Sequence, residues 1–366
     1  MERMTAMQID RRGFVAGAAA LGATAALPLR AIAATSGDAA AMALLDRHAE
    51  ALLTTYPEQA AFLGIDTGKR AALKSMLSDH SIAGEARRKA DAARRLSELR
   101  AIDLTHLSPT VTTHVETATV AHEIALDGWR RMPVGDMAFL SANGYRSTPY
   151  IVSQGNGAFV DVPDLLENKH QIATSADAEA YLARMRAYAK ELRDETERVK
   201  ADAAKGVYLP GFLNDITARQ LRDGAAKPAE WSIVTGLGTK LRAAALPDEW
   251  SARAARIAEQ EIAPALAAQA DAFVALRPRA PDVAGMWRVP DAENIYGWLV
   301  EAGTTTKRTP EEIHAAGLDQ CKALAAEMDP LLRAQGLTQG TAGERLAQLG
   351  KRPDLLFANT DAGRAE

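Results

Sequence analysis

Apolar positions recur at steps of three and four along most of the 366-residue chain, and that spacing predicts helices. Residues 39–63 read as helix, with Leu44, Leu45, His48, Leu52 and Leu53 on one stripe, interrupted at Tyr56-Pro57-Glu58. Residues 85–100 read as a charged amphipathic helix whose apolar face is Ala86, Ala90, Ala93 and Leu96. Ser108-Pro109, a hydroxyl cap followed by proline at the first helical position, opens a helix that runs through Trp129. Thr174-Ser175-Ala176-Asp177 opens a long one, on which Tyr181, Met185, Tyr188, Leu192, Thr196 and Val199 share a face until Gly206 and Pro210 end it. Residues 250–276 follow, with Pro264 as a kink or break. Thr309-Pro310-Glu311-Glu312 is a capping signature for a helix reaching about residue 332. Strand-period alternation is missing apart from a possible short piece at 150–153. The fold class expected is mainly α: one large multi-helix domain with irregular loops and little or no sheet.

One segment breaks the pattern. Residues 143–170, NGYRSTPYIVSQGNGAFVDVPDLLENKH, carry helix-stopping Gly and Pro, the aromatics Tyr145, Tyr150 and Phe159, and a row of amides and hydroxyls. A linker would be poor in aromatics and a disordered segment rich in charge. The segment therefore reads as an ordered loop packed on the helices.

Composition narrows the function classes. Apolar residues make up 47% and charged residues 25% of the chain, with a formal net charge of -4, as in an ordinary globular protein. There is no clustered basic face, so nucleic acid is not an expected partner. A single cysteine excludes an internal disulfide framework and a cysteine-based zinc site. Cys321 falls on a stripe with Ile313, Leu324 and Met328 and reads as buried.

The N-terminus carries the most specific local signal. Residues 10–16 read DRRGFVA, followed by an apolar run over 15–27 and the small-x-small triplet Ala31-Ile32-Ala33. This is the twin-arginine export pattern, with cleavage after Ala33. Thirteen weakly apolar residues are too few to span a hydrocarbon core of about 30 Å, so no stable membrane insertion is expected after cleavage. The expectation is a periplasmic or exported protein that meets the twin-arginine machinery, with residues 1–33 as signal peptide and 34–366 as the helical domain.

No catalytic motif is complete. His122-Glu123 lacks the second histidine at i+4 that a helical zinc pair needs, and His114 lies two turns away. His48 and His106 are isolated, and no metal ligand is assigned. Residues 303–307, GTTTK, lack the second glycine and preceding strand of a phosphate loop. No Gly-x-Ser-x-Gly element occurs. Asp and Glu residues read as solvated helix faces, with no spacing that singles out a pair.

Several segments together resemble the bacterial DUF885 proteins. They are YPEQAAFLG at 56–64, Val162-Pro163-Asp164, SADAEAYLARM at 175–185, GVYLP at 206–210, MWRVPD at 286–291, Tyr296, the Thr304–Thr306 run, TPEEIH at 309–314 and FANTDAGR at 357–364. The family consists of exported helical proteins that look like zinc metallopeptidases. Their His-Glu and Gly-His-His element has no match here. The resemblance therefore implies the substrate-cleft half of a zinc-dependent peptidase or amide hydrolase. It implies an N-terminal portion of a longer domain, with zinc expected only in the full-length protein and none bound by this chain, which alone would be inactive. The helix start at Asn359-Thr360-Asp361, with only 362–366 in which to run, agrees with that expectation. Residues 143–170 and 303–307 would line the cleft. Asn143, Tyr150, Gln154, Asn156 and Thr305 are substrate-binding candidates for a peptide or other small amide. Tyr296 is the candidate catalytic phenol beside a developing oxyanion. The competing reading is a non-catalytic periplasmic binding or scaffold protein.

Overall fold

A computed structural model describes residues 36–137 and 147–366. Among the described residues fourteen α-helices follow one another, and the only β pairing is two isolated bridges, Asp136 with Thr148 and Ser153 with Asn156. The mainly α expectation holds. The signal peptide and Asn143 lie outside the described residues. No helix among those described is long and apolar enough to cross a membrane.

The N-terminal helices are α1 (Ser36–Thr55), α2 (Pro57–Phe62), α3 (Ile82–Arg100) and α4 (Pro109–Arg131). Pro57 divides the first pair, as the sequence predicts. Ser108 caps α4 through its hydroxyl, which accepts the Val111 N–H. The face of α3 differs from expectation. Ala86, Ala90 and Ala93 are exposed, while Gly84, Arg88, Ala92, Arg95, Leu96 and Leu99 are buried. Alanine gains little by burial. The two arginines turn inward because each finds a buried partner there: Arg88 faces Asp136, and Arg95 donates to His122 Nε2 at 3.2 Å.

Helix α6 (Ser175–Ala204) is the axis of the molecule. It starts in a capping box formed by Thr174 and Asp177. Its predicted apolar face, Tyr181 through Val199, is buried in the main core with α7 (Gly211–Ala225), α8 (Ser232–Ala243), α9 (Glu249–Ile257) and α10 (Ala263–Leu276). Each large apolar side chain buried there contributes about 1.5–3 kcal/mol. The stripe of α6 next to that face is also buried and is polar: Arg184, Glu191, Glu195, Arg198 and Asp202. Before α10 the backbone widens into a π-helical turn, Ala258–Ile262, and Pro264 sits in the first turn of the new helix. This is the break expected at that proline.

The described part of the segment 143–170, residues 147–170, is only partly a loop. After the irregular turns at 147–157 the chain forms α5 (Ala158–Asp164) and a π-helical turn, Leu165–Lys169, in spite of Pro163. Val162, Leu165 and Leu166 are buried, so packing against the core outweighs the proline.

Helix α11 (Ala292–Thr304) packs on α4. Trp298 fills the contact, and its indole N–H donates to Ile124 O at 3.1 Å. Helices α12 (Pro310–Ala334), α13 (Ala342–Leu349) and α14 (Asp361–Ala365) complete the chain. Thr309 and Glu312 form the expected capping box. The stripe of α12 is not buried. Leu318, Leu324 and Leu331 are exposed, and so is Cys321, which corrects its reading as a core thiol. Only Leu332 of α12 is buried, so among the described residues nothing covers the face on which Cys321 sits.

Candidate functional site

A cavity of about 150 Å³ opens where α2, α3, α5 and α6 approach one another. Its apolar wall includes Phe62, Met137, Ile151, Val162 and Leu165. Its polar wall brings together Glu58, His80, Arg88, Asp136, Asp161, Glu191 and Glu195. None of the four elements carries the site alone.

Helix α6 supplies Glu191 and Glu195 one turn apart, on a stripe that flanks the face of Tyr181 and Leu192. Both carboxyls are buried. Like charges at that spacing repel, and burial strengthens the repulsion. Glu195 is the better satisfied. Its Oε1 accepts the Ala158 N–H at 2.9 Å and its Oε2 accepts from Gln269 Nε2 at 3.5 Å. Burial nevertheless raises its pKa to about 8, with Asp136 and Asp161 adding to the rise. Glu191 is 8% exposed and its Oε2 has no hydrogen-bond partner among the described residues. Burial pushes its carboxyl well above the ordinary range, with Glu195, Glu58, Asp161 and Asp136 adding to the effect.

Gly157 makes the backbone turn that aims Ala158 N–H at Glu195. It has φ 119°, open to glycine and strained for other residues. Ahead of it, the Asn156 amide donates to Tyr150 O at 2.9 Å and Ile151 O at 3.0 Å, and Ser153 Oγ donates to Asn156 Oδ1. Asn156 thus closes the turn whose far side is the cavity wall.

Asp136 is ringed by basic side chains. His80 Nδ1 lies 3.9 Å from its Oδ1, Arg198 Nη1 3.6 Å and Arg88 Nη2 3.8 Å. Burial opposes ionisation of Asp136, but these charges outweigh it and hold the pKa below the usual value. His80 also places Nε2 3.6 Å from Glu191 Oε1. Burial holds His80 below its ordinary pKa in spite of Asp136, so the imidazole is neutral near pH 7. The line Asp136–His80–Glu191 joins an ionised carboxylate, a neutral imidazole and a carboxyl that favours its proton. At the cavity edge Glu58 is fully used, accepting from Ser78 N at 2.6 Å and Ser78 Oγ at 2.7 Å.

The residues singled out from sequence separate in space. Asn156 lines the cavity. Tyr150 lines an adjoining pocket of about 30 Å³ with Tyr208. Gln154 is exposed on the turn. Tyr296 is half exposed on α11, and Thr305 is exposed just past its end with φ 53°; neither lines the cavity. Asn143 lies outside the described residues. Glu191, Glu195 and His80 were missed, and the reading of all acidic residues as solvated is corrected by the buried pair. His122 is buried, with Nδ1 2.7 Å from Ala118 O. His48 lies 2.8 Å from Glu98. Among the described residues no group of three or more His, Cys, Asp or Glu side chains fits a metal ion.

The sequence signature of the family described as "bacterial protein of unknown function (DUF885)" matches residues 57–366. The fold is similar to a crystal structure described as a candidate lipoprotein from Colwellia psychrerythraea, with a TM-score of 0.79 and 22% identity. The likeness covers 90% of this chain and 57% of that one, so the chain spans little more than half the length of the solved protein. No curated protein matches the chain.

Proposed function

Since the chain belongs to the DUF885 family, we propose that it is the substrate-binding portion of an exported hydrolase acting on peptide or similar small amide bonds, and that the acid-walled cavity receives the substrate. The observation that carries this reading is Glu191: a carboxyl oxygen without a partner among the described residues, buried in a cavity of about 150 Å³. Leaving such an atom unsatisfied costs about 1–3 kcal/mol. A bound group that hydrogen-bonds it removes that cost. His80 and Glu191 then hold a proton within reach of the occupant, with the Asp136 carboxylate 3.9 Å from the imidazole. The apolar wall orders a small substrate and keeps water from the carboxyls.

Zinc belongs to this proposal only in the part of longer family members that the chain does not match. The described residues do not fit a metal ion, and none is assigned to one. Asn156, Tyr150 and Gln154 remain candidates for holding a peptide backbone beside the cavity, with Asn143 from the neighbouring segment. Tyr296 and Thr305 remain candidates from the exposed end of α11. Export through the twin-arginine route, with cleavage after Ala33, is part of the same reading. The description of a similar solved protein as a candidate lipoprotein supports an extracytoplasmic setting.

The test incubates the purified protein, and separately a full-length family member, with dipeptides and N-acyl amides. Saturable binding by the chain, lost in Glu191→Gln, together with hydrolysis by the longer protein, supports the proposal. Binding without hydrolysis in either protein favours the competing reading of a non-catalytic binding or scaffold protein. Failure of every peptide and amide to bind overturns both.

A further inference from the structure

We propose, resting on the binding role just given to the cavity, that it selects a primary ammonium group on a short alkyl stem, with Glu191 as the counter-charge. Most of the carboxylates around the cavity are already engaged. Glu58 accepts two hydrogen bonds from Ser78 and Asp164 accepts one from Asn168. Among the described residues Asp136 Oδ1 accepts no hydrogen bond, but Arg88, Arg198 and His80 lie within 4 Å of it and the two arginines neutralise its charge. Glu195 holds the Ala158 N–H. Glu191 Oε2 has no partner among the described residues, and the carboxyls of Glu195 and Asp161 share its cavity. An anion placed there meets three acidic side chains. A neutral polar group supplies one or two donors. An ammonium supplies three donors and a charge, and it relieves the repulsion between the two α6 glutamates.

The cations nearby do not take that place. Arg88 donates to Asp79 O and lies against Asp136. Arg198 pairs with Glu85 at 2.8 Å and with Asp136. His80 is held neutral by burial. In the same lining Phe62, Ile151, Val162 and Leu165 form a surface for methylene groups rather than for a second charge. A polar head at Glu191 and an apolar stem against those side chains match the mixed lining of the cavity.

Proton release follows from the same arrangement. The groups facing Glu191 are Glu195 on its own helix, Glu58 from α2, Asp161 from α5, Arg88 from α3, and His80 with Asp136 from the connecting segments. Burial and the surrounding carboxylates favour the protonated form of Glu191 in the empty cavity. An ammonium favours the ionised form, so binding expels a proton and tightens as pH rises.

Calorimetric titration of the unaltered protein tests this with n-butylammonium, n-butanol and butyrate. The ammonium is expected to bind about tenfold or more tighter than the alcohol, a difference of about 1.4 kcal/mol, and butyrate is expected not to bind. Two further ligands separate the sources of the amine. N-acetyl-lysine amide carries only the side-chain ammonium, and norleucine amide carries only the α-ammonium; whichever binds more tightly names the source. N-acetyl-norleucine amide is the neutral control. Glu191→Gln is expected to abolish the preference, and Asp161→Asn, on α5, to reduce it, each with the thermal transition retained. Equal binding of the neutral ligands, or no binding of n-butylammonium, overturns the inference. Neutral amides that bind as well as cationic ones leave the hydrolase reading intact while removing this one. Ammonium binding with no amide binding does the reverse.

Discussion

Glu195 Oε1 accepts the backbone N–H of Ala158 at 2.9 Å, which ties the middle of the longest helix to the first turn of α5. That hydrogen bond survives protonation, because the carbonyl oxygen of a carboxylic acid still accepts. The pKa of about 8 then sets a sign for stability. Between about 4.5 and 8 the folded protein keeps a proton that the unfolded chain has released. The contribution is fully present below about pH 4.5 and is lost as pH rises through 8. Urea unfolding followed from about pH 5 to 8.5 is expected to show a loss of roughly 2–4 kcal/mol from this pair of acids. Glu195→Gln keeps an oxygen for Ala158 and is expected to flatten the slope. A variant with an unchanged slope would place the titration elsewhere.

Asp177 runs in the opposite direction. Burial opposes its charge, but Lys74 Nζ at 2.6 Å and the N–H groups of Ala173 and Thr174 at 3.0 and 2.9 Å hold its pKa at about 2. Its contribution is present above about pH 4 and disappears as pH falls toward 2. Asp177→Asn is expected to cost about 1–2 kcal/mol at pH 7 and almost nothing at pH 2. Thermal melts of both proteins at the two pH values check it.

Two glycine substitutions are expected to differ in sign. At Gly135, φ is 68° and an added Cβ would lie 2.0 Å from Thr148 O. Its N–H donates to Asp202 Oδ2 at 2.8 Å and its carbonyl accepts from Arg198, so the turn cannot retreat freely. Gly135→Ala is expected to cost about 3 kcal/mol or more. Gly224, near the exposed end of α7, has nothing within 4 Å of an added Cβ. Gly224→Ala is expected to gain about 0.5–1 kcal/mol. Chemical denaturation of the pair decides it.

Cys321 is exposed on α12. The folded protein is therefore expected to react with one equivalent of a thiol-specific dye at nearly the rate of the urea-unfolded chain. Cys321→Ser is expected to change stability by less than about 0.5 kcal/mol. A thiol protected until unfolding would show that something covers this face in solution.

The helix starts were legible because capping is local. Ser108, Thr174 and Thr309 each lie three residues from the N–H they satisfy. The apolar face of α6 was legible for the same reason: its period is written within one helix. Helices α7 and α8 escaped because the residues at their N-caps, Pro210 and Trp231, give no side-chain cap. The site was illegible because its partners are far apart in sequence. Glu195 meets Ala158 across 37 residues, and His80 meets Glu191 across more than a hundred. A glutamate on a helix looks solvated until another element covers it. The inward turn of Arg88 and Arg95 misled in the same way, since their partners Asp136 and His122 belong to other segments.

Helix α6 turns one face to the core and the stripe beside it to the cavity. Heritable change at the cavity is therefore unequal among its walls. Positions 191 and 195 are interleaved with Leu192 and Val199, so mutational drift there disturbs folding and ligand choice together. Phe62 and Asp161 stand on helices of six and seven residues, away from the main helix axis. A lineage adapting to a new ligand has its freest route through those two short helices, and α6 is where its history should have left the fewest marks.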